Sequence, residues 1–341
     1  MAVKSSSMKS APVAGLAPPV PNTGVTRENV IWCYRMLLGR EPENEAAIDS
    51  KLRRSSTDEL LREFLTSREF LNSKRNTTRP AFFSSTNLPI VVEFEPSAED
   101  LARLVERVRR TWRGLGESKP HWSVLSQKEF LPDNIDATRD TFHRSGAADL
   151  ELVLATIRRA GRDSTEFSTV HEYGCGLGRI TNHLAAAFEK VIGCDISAPH
   201  LNLAREHSAA IGVSNIEYRE ISIPDYGIHE PIDLWFSLIV LQHNPPPVIF
   251  TILRHMLAAL RPGGLAIFQV PTYAVGYRFK VREYLEKSKD TKSMEMHVLP
   301  QRAIFDLIRQ SNCQLLEIIE DGWVGDGNWL SNTFVVGRPA A

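Results

Sequence analysis

The chain has 341 residues, a length that accommodates one large domain together with a smaller one. Hydrophobic residues make up 43% and charged residues 24%, which excludes collagen-like, coiled-coil and wholly disordered chains. The net charge of −1 provides no basic field, so we expect no nucleic-acid partner. No apolar run reaches the roughly 20 residues of a membrane helix, so we expect no membrane span.

The cysteines and the first residues indicate the compartment. Cys33, Cys175, Cys194 and Cys313 form no CxxC pair, so the sequence predicts neither a metal site nor a disulfide framework. The opening residues lack the continuous apolar segment of a secretory signal. We therefore expect a cytoplasmic protein.

Three regions precede the main domain. Residues 1–24 are rich in Ser, Pro, Ala and Gly and predict a disordered tail. Residues 25–75 carry the apolar periodicity of three short amphipathic helices, and residues 76–97 predict a linker with one extended piece. The helical module contains no cluster of catalytic side chains, which favours packing, docking or oligomerisation as its role.

Two phrases in this module carry a resemblance. YRMLLGREPENEAAID and the later FLTSREFL resemble a small helical module of unassigned function. That module often precedes methyltransferase or glycosyltransferase domains in bacterial surface-polysaccharide gene products. Glu43 and Asn44 depart from its usual pattern of an Asp followed by a small residue. The resemblance implies a place in polysaccharide biosynthesis.

The rest of the chain predicts a helical lead-in or cap at residues 98–145 and an α/β domain at residues 146–341. From Ser168 onward, short β-branched and aromatic runs alternate with amphipathic helices, a rhythm typical of an open, mostly parallel sheet with helices on both faces. Ligands of such sheets bind beyond the carboxyl ends of the strands. The glycine loop Gly174-Cys175-Gly176-Leu177-Gly178 follows the first of these strands, and Asp195 ends the next.

Charge indicates which nucleoside this loop accepts. A dinucleotide loop requires GxGxxG, but here the third glycine comes one position early and Arg179 follows it. Glu172 stands two residues before the first glycine, where a carboxylate repels a pyrophosphate and attracts an ammonium or a sulfonium. The pattern therefore favours S-adenosylmethionine over a nicotinamide dinucleotide.

The ordered set EYGCGLG, CDIS, IDLWFSLIVLQH and LRPGG resembles the motifs of class I S-adenosylmethionine-dependent methyltransferases. The resemblance implies a Rossmann-like seven-stranded sheet with an antiparallel last strand. It also implies the cofactor-binding residues, namely Glu172, Gly174, Cys175, Gly176 and Gly178 at the methionine part, Asp195 at the ribose, Ile196 at the adenine and Gln242 near the methyl group. One departure is the missing acid after the third strand, where Ser222 is expected to contact the adenine instead.

The sequence identifies the residues of the acceptor site less specifically than those of the cofactor site. A hydroxyl acceptor benefits from a general base, and the two candidates are His243, after the fourth strand of the domain, and His297, before the last helix. Tyr273 and Arg278, in the insertion after the fifth strand, are the candidate substrate-binding residues. Each of these four side chains also has a purely structural interpretation, in loop support, helix capping or lid packing.

Three functions are compatible with these observations. The first, which the resemblance of the helical module favours and which is the function predicted here, is methylation of a hydroxyl on a saccharide or glycan intermediate, for which we expect a wide, aromatic-lined cleft. The second is methylation of a small metabolite or natural product, for which we expect a closed apolar pocket. The third is a non-catalytic scaffold that retains the cofactor pocket, which the intact Glu172, glycine loop and Asp195 disfavour.

Overall fold

The computed structural model describes residues 24–67, 69–70, 89–287, 294–324 and 328–340. Apart from Gly24, the predicted disordered tail lies outside the described residues, and so does the part of the predicted linker up to residue 88. The chain divides into two compact units, residues 1–79 and residues 80–341. None of the described helices combines the length and the apolarity needed to cross a bilayer.

The first unit contains the three predicted helices. They are α1 (Arg27–Cys33, extended by a π-helical turn at Tyr34–Leu38), α2 (Glu45–Leu52) and α3 (Thr57–Leu65). The side chains of Thr26, Asn44 and Ser56 cap their N-termini by accepting backbone N–H hydrogen bonds. The buried residues of the unit form one core, made of Val30, Cys33, Tyr34, Ile48, Leu60 and Phe64.

The second unit is built on a seven-stranded sheet in the order β4-β3-β2-β5-β6-β9-β8. Its strands are β2 (Thr169–Tyr173), β3 (Lys190–Asp195), β4 (Ile216–Glu220), β5 (Ile232–Ser237), β6 (Leu260–Ala274), β8 (Gln314–Asp321) and β9 (Trp329–Gly337). The last strand in the chain, β9, runs antiparallel to both of its neighbours, and the other pairings are parallel. The predicted Rossmann-like sheet with an antiparallel last strand is confirmed.

A separate two-stranded parallel sheet joins β1 (Val91–Val92) to β7 (Arg278–Phe279). The helices of the unit are α4 (Ala98–Ser118), α5 (Pro120–Val124), α6 (Ile135–Arg144), α7 (Gly146–Arg159), α8 (Thr181–Ala187), α9 (Ala198–Ala210), α10 (Pro246–Ala259), α11 (Val281–Lys287) and α12 (Gln301–Gln310).

The sheet buries both of its faces. Side chains of a strand alternate between the faces, so Trp235 of β5 packs in one apolar core while its neighbours Leu234 and Phe236 pack in the other. All six residues of β5 are buried. This burial on both faces explains why the consecutive residues Leu234, Trp235 and Phe236 are all apolar rather than alternating with polar residues.

Helix α4 lies across the carboxyl ends of the strands. The guanidinium Nη2 of Arg109 donates to the carbonyl oxygen of Ile221, just beyond β4, at 3.1 Å. The hydroxyl of Ser197, just beyond β3, donates to the carbonyl oxygen of Trp112 at 3.1 Å. Helix α4 is therefore fastened to the edge of the sheet at which open α/β folds bind ligands.

Candidate active site

A cavity of about 460 Å³ opens at this edge of the sheet. Its wall combines the loop after β2, the end of β3, the loop after β5, helix α4 and the segment that follows α5. The predicted residues that line it are Glu172, Gly174, Cys175, Gly176, Asp195, Ile196, Gln242 and His243. The structure thus brings together eight of the residues on which the sequence analysis placed the site.

The glycine loop needs its glycines for two reasons. Gly174, Gly176 and Gly178 have φ angles of +79°, +54° and +73°, in the left-handed region that side chains disfavour. A Cβ atom on Gly176 would also lie 2.9 Å from a methyl group of Val124. The loop is held in place because the backbone N–H groups of Gly174 and Cys175 both donate to the carbonyl oxygen of Cys194, at 2.7 and 3.0 Å.

Asp195 is fixed by backbone groups from two directions. Its Oδ2 accepts a hydrogen bond from the N–H of Gly176 at 2.9 Å, and its Oδ1 accepts one from the N–H of Ser197 at 2.8 Å. The carboxylate is nine-tenths buried and lines the cavity. Each carboxylate oxygen retains further acceptor capacity, so Asp195 can accept hydrogen bonds from the hydroxyl groups of a ribose.

Glu172 has a different environment from Asp195. Its Oε2 accepts a hydrogen bond from the hydroxyl of Thr181 at 2.6 Å, and the residue is only 4% exposed. Burial raises the pKa of Glu172 to about 8, and the Thr181 hydrogen bond and the charge of Arg179 oppose this rise only in part. The side chain is therefore largely neutral at pH 7, and a cation placed beside it would favour its ionised form.

His243 presents an imidazole of defined tautomer to the cavity. Its Nδ1 lies 2.9 Å from the carbonyl oxygen of Glu295, and a carbonyl only accepts, so Nδ1 carries the proton. Its Nε2 lies 3.3 Å from the side-chain nitrogen of Gln242. Burial lowers the pKa of His243 to about 4, so the ring is neutral at pH 7, and its Nε2 is the acceptor that faces the side-chain nitrogen of Gln242.

Behind this wall lies a polar cluster around Glu295. Its carboxylate accepts a hydrogen bond from Nη2 of Arg107 at 2.7 Å and a second one from the hydroxyl of Tyr284. Nε2 of His297 lies 3.3 Å from the same carboxylate. Although burial opposes ionisation of Glu295, the hydrogen bonds from His297 and Tyr284 and the charge of Arg107 outweigh it, and the pKa of Glu295 is about 2.

Five predicted residues do not line the cavity. His297 is buried behind the wall, where its Nδ1 lies 2.9 Å from the Tyr277 hydroxyl and its backbone N–H donates to Gln242. Ser222 is exposed, and Gly178 instead packs close to Tyr218. Arg278 is exposed and pairs with Glu283 at 2.6 Å, while Tyr273 lies in β6 opposite Leu330.

Several lining residues were missed by the sequence analysis. Trp112 comes from the predicted helical lead-in, and Met294 and Met296 lie on either side of Glu295. Arg179 also lines the cavity, and its position directly after the glycine loop could have indicated this from the sequence.

Tyr226 lines the cavity too, but no feature of the surrounding sequence indicated it. It adopts a left-handed φ of +55° in the turn after β4. Its hydroxyl is buried and has no hydrogen-bond partner among the described residues.

Comparison with known proteins supports the assignment of the domain. Residues 170–264 match the family described as "Methyltransferase domain". This segment contains Glu172, the glycine loop, Asp195, Gln242 and His243. The prediction of a methyltransferase domain is confirmed.

Two curated relatives share the name ubiquinone biosynthesis O-methyltransferase. The protein from Albidiferax ferrireducens is 22% identical over 188 residues, which cover 54% of this chain and 63% of the relative. The protein from Acinetobacter baylyi is 26% identical over 156 residues, which cover 44% of this chain and 64% of the relative. The chain thus spans less than two thirds of the length of either relative.

One similar solved structure is that of magnesium protoporphyrin IX methyltransferase from Synechocystis PCC 6803. Its TM-score is 0.49 and its sequence identity is 16%, and the similarity covers 70% of this chain and 99% of that protein's chain.

Proposed function

We propose that this protein uses S-adenosylmethionine to methylate a hydroxyl group of a small, largely apolar acceptor. The observation that carries the proposal is the composition of one cavity, in which Glu172, the glycine loop, Asp195 and His243 share a wall with many apolar side chains. Asp195 suits the ribose hydroxyls, and the buried Glu172 suits the positively charged methionine end. Ile196 and Val240 supply apolar surface for the adenine.

The chain's contribution to the reaction is alignment and proton removal. When bound, S-adenosylmethionine supplies an activated methyl group on a sulfonium that leaves as a neutral thioether. Nε2 of His243 accepts the hydroxyl proton of the acceptor while the acceptor oxygen forms its bond to the methyl carbon. Helix α4 and the side chains of Met294 and Met296 line the site and exclude water from it.

We infer that His297 is a positioning residue, which acts by orienting His243. Its backbone N–H donates to the carbonyl of Gln242 at 2.7 Å, and its ring contacts the carboxylate of Glu295. The carbonyl of Glu295 in turn fixes the tautomer of His243. Mutation of His297 is therefore expected to act through His243.

The acceptor proposed here is the small-molecule alternative of the sequence analysis. Beside the cofactor-binding candidates, the cavity wall carries eight apolar side chains, namely Trp112, Val124, Leu125, Leu238, Ile239, Met294, Met296 and Trp323. Side chains of this kind bury an apolar ring well, whereas the many hydroxyl groups of a saccharide each need a polar partner. The two curated relatives are named as O-methyltransferases, which also supports a hydroxyl acceptor.

The test is an acceptor screen with S-adenosylmethionine that carries a labelled methyl group. We expect the label to pass to phenols with apolar substituents and not to mono- or oligosaccharides of similar size. His243→Gln protein in the same screen controls for contaminating activities. Transfer to saccharides alone would overturn the proposed acceptor class, and tight cofactor binding without any transfer would favour the scaffold function.

A further inference from the structure

Gln269 is a fully buried amide in β6, and the proposed function assigns it no role. Its side chain contacts the cavity wall from behind, since it is not among the residues that line the cavity. Its Oε1 accepts a hydrogen bond from the backbone N–H of Ile239 at 3.0 Å. Its Nε2 donates to the hydroxyl of Ser331 at 2.7 Å and to Oε1 of Gln242 at 3.1 Å.

The direction of two side-chain amides follows from one backbone group. A backbone N–H only donates, so the atom of Gln269 that faces Ile239 is the carbonyl oxygen. The other end of the Gln269 amide is then NH2, and the atom of Gln242 that accepts from it is an oxygen. The remaining end of the Gln242 amide, its NH2 group, lies 3.3 Å from Nε2 of His243. Gln242 therefore faces His243 with a donor because Gln269 faces Gln242 with a donor.

The imidazole of His243 matches this donor. Its Nδ1 carries the proton that faces the carbonyl of Glu295, so in the neutral ring Nε2 is an acceptor. The NH2 group of Gln242 stabilises this neutral ring, whereas a protonated ring would place one N–H group against another. Of the other groups around the ring, His297 also disfavours its protonation and the Glu295 carbonyl favours it.

The loop after β5 is strained next to this relay. Ile239 is β-branched, yet its φ angle is +59°, in the left-handed region that such residues rarely adopt. Conformations of this kind persist where the surrounding structure fixes them, and they concentrate at functional sites. The Gln269 side chain holds the loop at two points, the N–H of Ile239 and the amide of Gln242.

We propose that Gln269 is a positioning residue that fixes the amide of Gln242 with its NH2 group toward Nε2 of His243. The relay keeps the imidazole oriented and unprotonated until an acceptor hydroxyl takes the place of the amide at Nε2. The role of the relay in methyl transfer rests on the proposed function, whereas the state of the ring can be measured without it.

A double-mutant cycle tests the relay with Gln242→Met, Gln269→Met and the double variant, since methionine has a similar length but cannot replace the amide. Gln269→Glu has the same shape and keeps an acceptor for the Ile239 N–H, so it replaces Gln269→Met in the cycle if that variant does not fold. Thr272→Val is the matched control. It removes another buried hydrogen bond of β6, from the Thr272 hydroxyl to Oδ1 of Asn332 at 2.6 Å, away from the cavity.

The first measurement is a nitrogen-15 NMR titration of the His243 ring without cofactor or acceptor. We expect the ring to titrate at least about half a pH unit higher in Gln242→Met and in Gln269→Met than in the wild type, since the neutral ring loses its donor. The double variant should match Gln242→Met, because Gln269 acts through Gln242. An unchanged titration in either single variant, or effects that add in the double variant, would overturn the relay.

The second measurement is the single-turnover rate of methyl transfer to a phenol. Gln269→Met should lower this rate at least about fivefold and leave binding of S-adenosylhomocysteine within about twofold, whereas Thr272→Val should change neither. A rate loss that persists when Gln269→Met is added to Gln242→Met would assign Gln269 a general structural role instead. If the NMR result holds but the wild type methylates no acceptor, the proposed function fails while the positioning of His243 by Gln269 stands.

Discussion

Nδ1 of His243 lies 2.9 Å from the carbonyl oxygen of Glu295, and the side chain of Glu295 is itself held by Arg107, Tyr284 and His297. The imidazole at the cavity wall is therefore oriented by a polar cluster that does not itself line the cavity. The predictions below test this arrangement, the two carboxylates of the cofactor site and the turn after β4.

Replacing His243 tests its role as the proton acceptor. We expect His243→Gln to lower kcat by about 10²- to 10⁴-fold, the contribution typical of a general base. Binding of S-adenosylhomocysteine should stay within about threefold of the wild type, because Asp195 and the glycine loop are untouched. Single-turnover rates with an acceptor from the screen measure the effect. A variant that retains half of the wild-type kcat would show that another group takes the proton.

Glu295→Gln tests the polar cluster behind the wall. The pKa of Glu295 is about 2 in the folded protein, below its ordinary 4.5, so its ionisation stabilises the fold above pH 4.5. The difference corresponds to on the order of 3 kcal/mol at neutral pH. This contribution is lost as the pH falls from 4.5 toward 2.

Urea unfolding of the wild type and Glu295→Gln between pH 7 and pH 3 measures the effect. The wild type should be the more stable protein at pH 7, and the gap should narrow below pH 4.5. A gap that does not change with pH would mean that the carboxylate charge contributes nothing.

The raised pKa of Glu172 predicts that cofactor binding releases a proton. Its pKa of about 8 leaves it mostly protonated at pH 7, and the ammonium of the ligand favours the ionised form. Titration of S-adenosylhomocysteine at pH 7 in buffers with different ionisation enthalpies should therefore show release of roughly 0.5–0.9 proton per ligand bound. Glu172→Gln should bind without this release. An identical buffer dependence in the variant would assign the proton to another group.

Tyr226→Phe tests the buried hydroxyl in the turn after β4. This hydroxyl has no partner among the described residues, so its removal relieves an unpaired polar group. We expect the free energy of unfolding in the absence of ligand to rise by about 1 kcal/mol. Urea denaturation measures it, with the exposed substitution Ser222→Ala as a control that should change stability little. A loss of stability in Tyr226→Phe would show that the hydroxyl is satisfied in the folded protein.

The sequence predicted the sheet, and it placed most of the cofactor-binding candidates where the structure shows one cavity, because both follow from local patterns. The ends of β2 and β3 place Gly174 and Asp195 at one edge of the sheet, and parallel strand pairing between Glu172 and Gly193 brings those ends together. The position of Glu172 before the glycines was likewise evident from the sequence, but the burial that raises its pKa to about 8 was not.

The acceptor side was predicted less well, because its geometry depends on segments that are not regular strands or helices. His297 was expected at the acceptor, but it packs against Glu295, away from the cavity. Met294 and Met296 line the cavity instead, which fits the alternation of side chains in extended backbone. Ser222 was expected at the adenine, but the turn with Tyr226 in the left-handed conformation leaves Ser222 exposed.

Calorimetric titration of the wild type and Asp195→Ala tests whether Asp195 and the glycine loop bind S-adenosylmethionine. We expect micromolar binding of S-adenosylmethionine and S-adenosylhomocysteine to the wild type. In Asp195→Ala we expect binding to weaken at least about tenfold, since this carboxylate accepts the ribose hydrogen bonds. Folded wild-type protein that binds neither molecule, with or without an acceptor present, would contradict the proposed cofactor site.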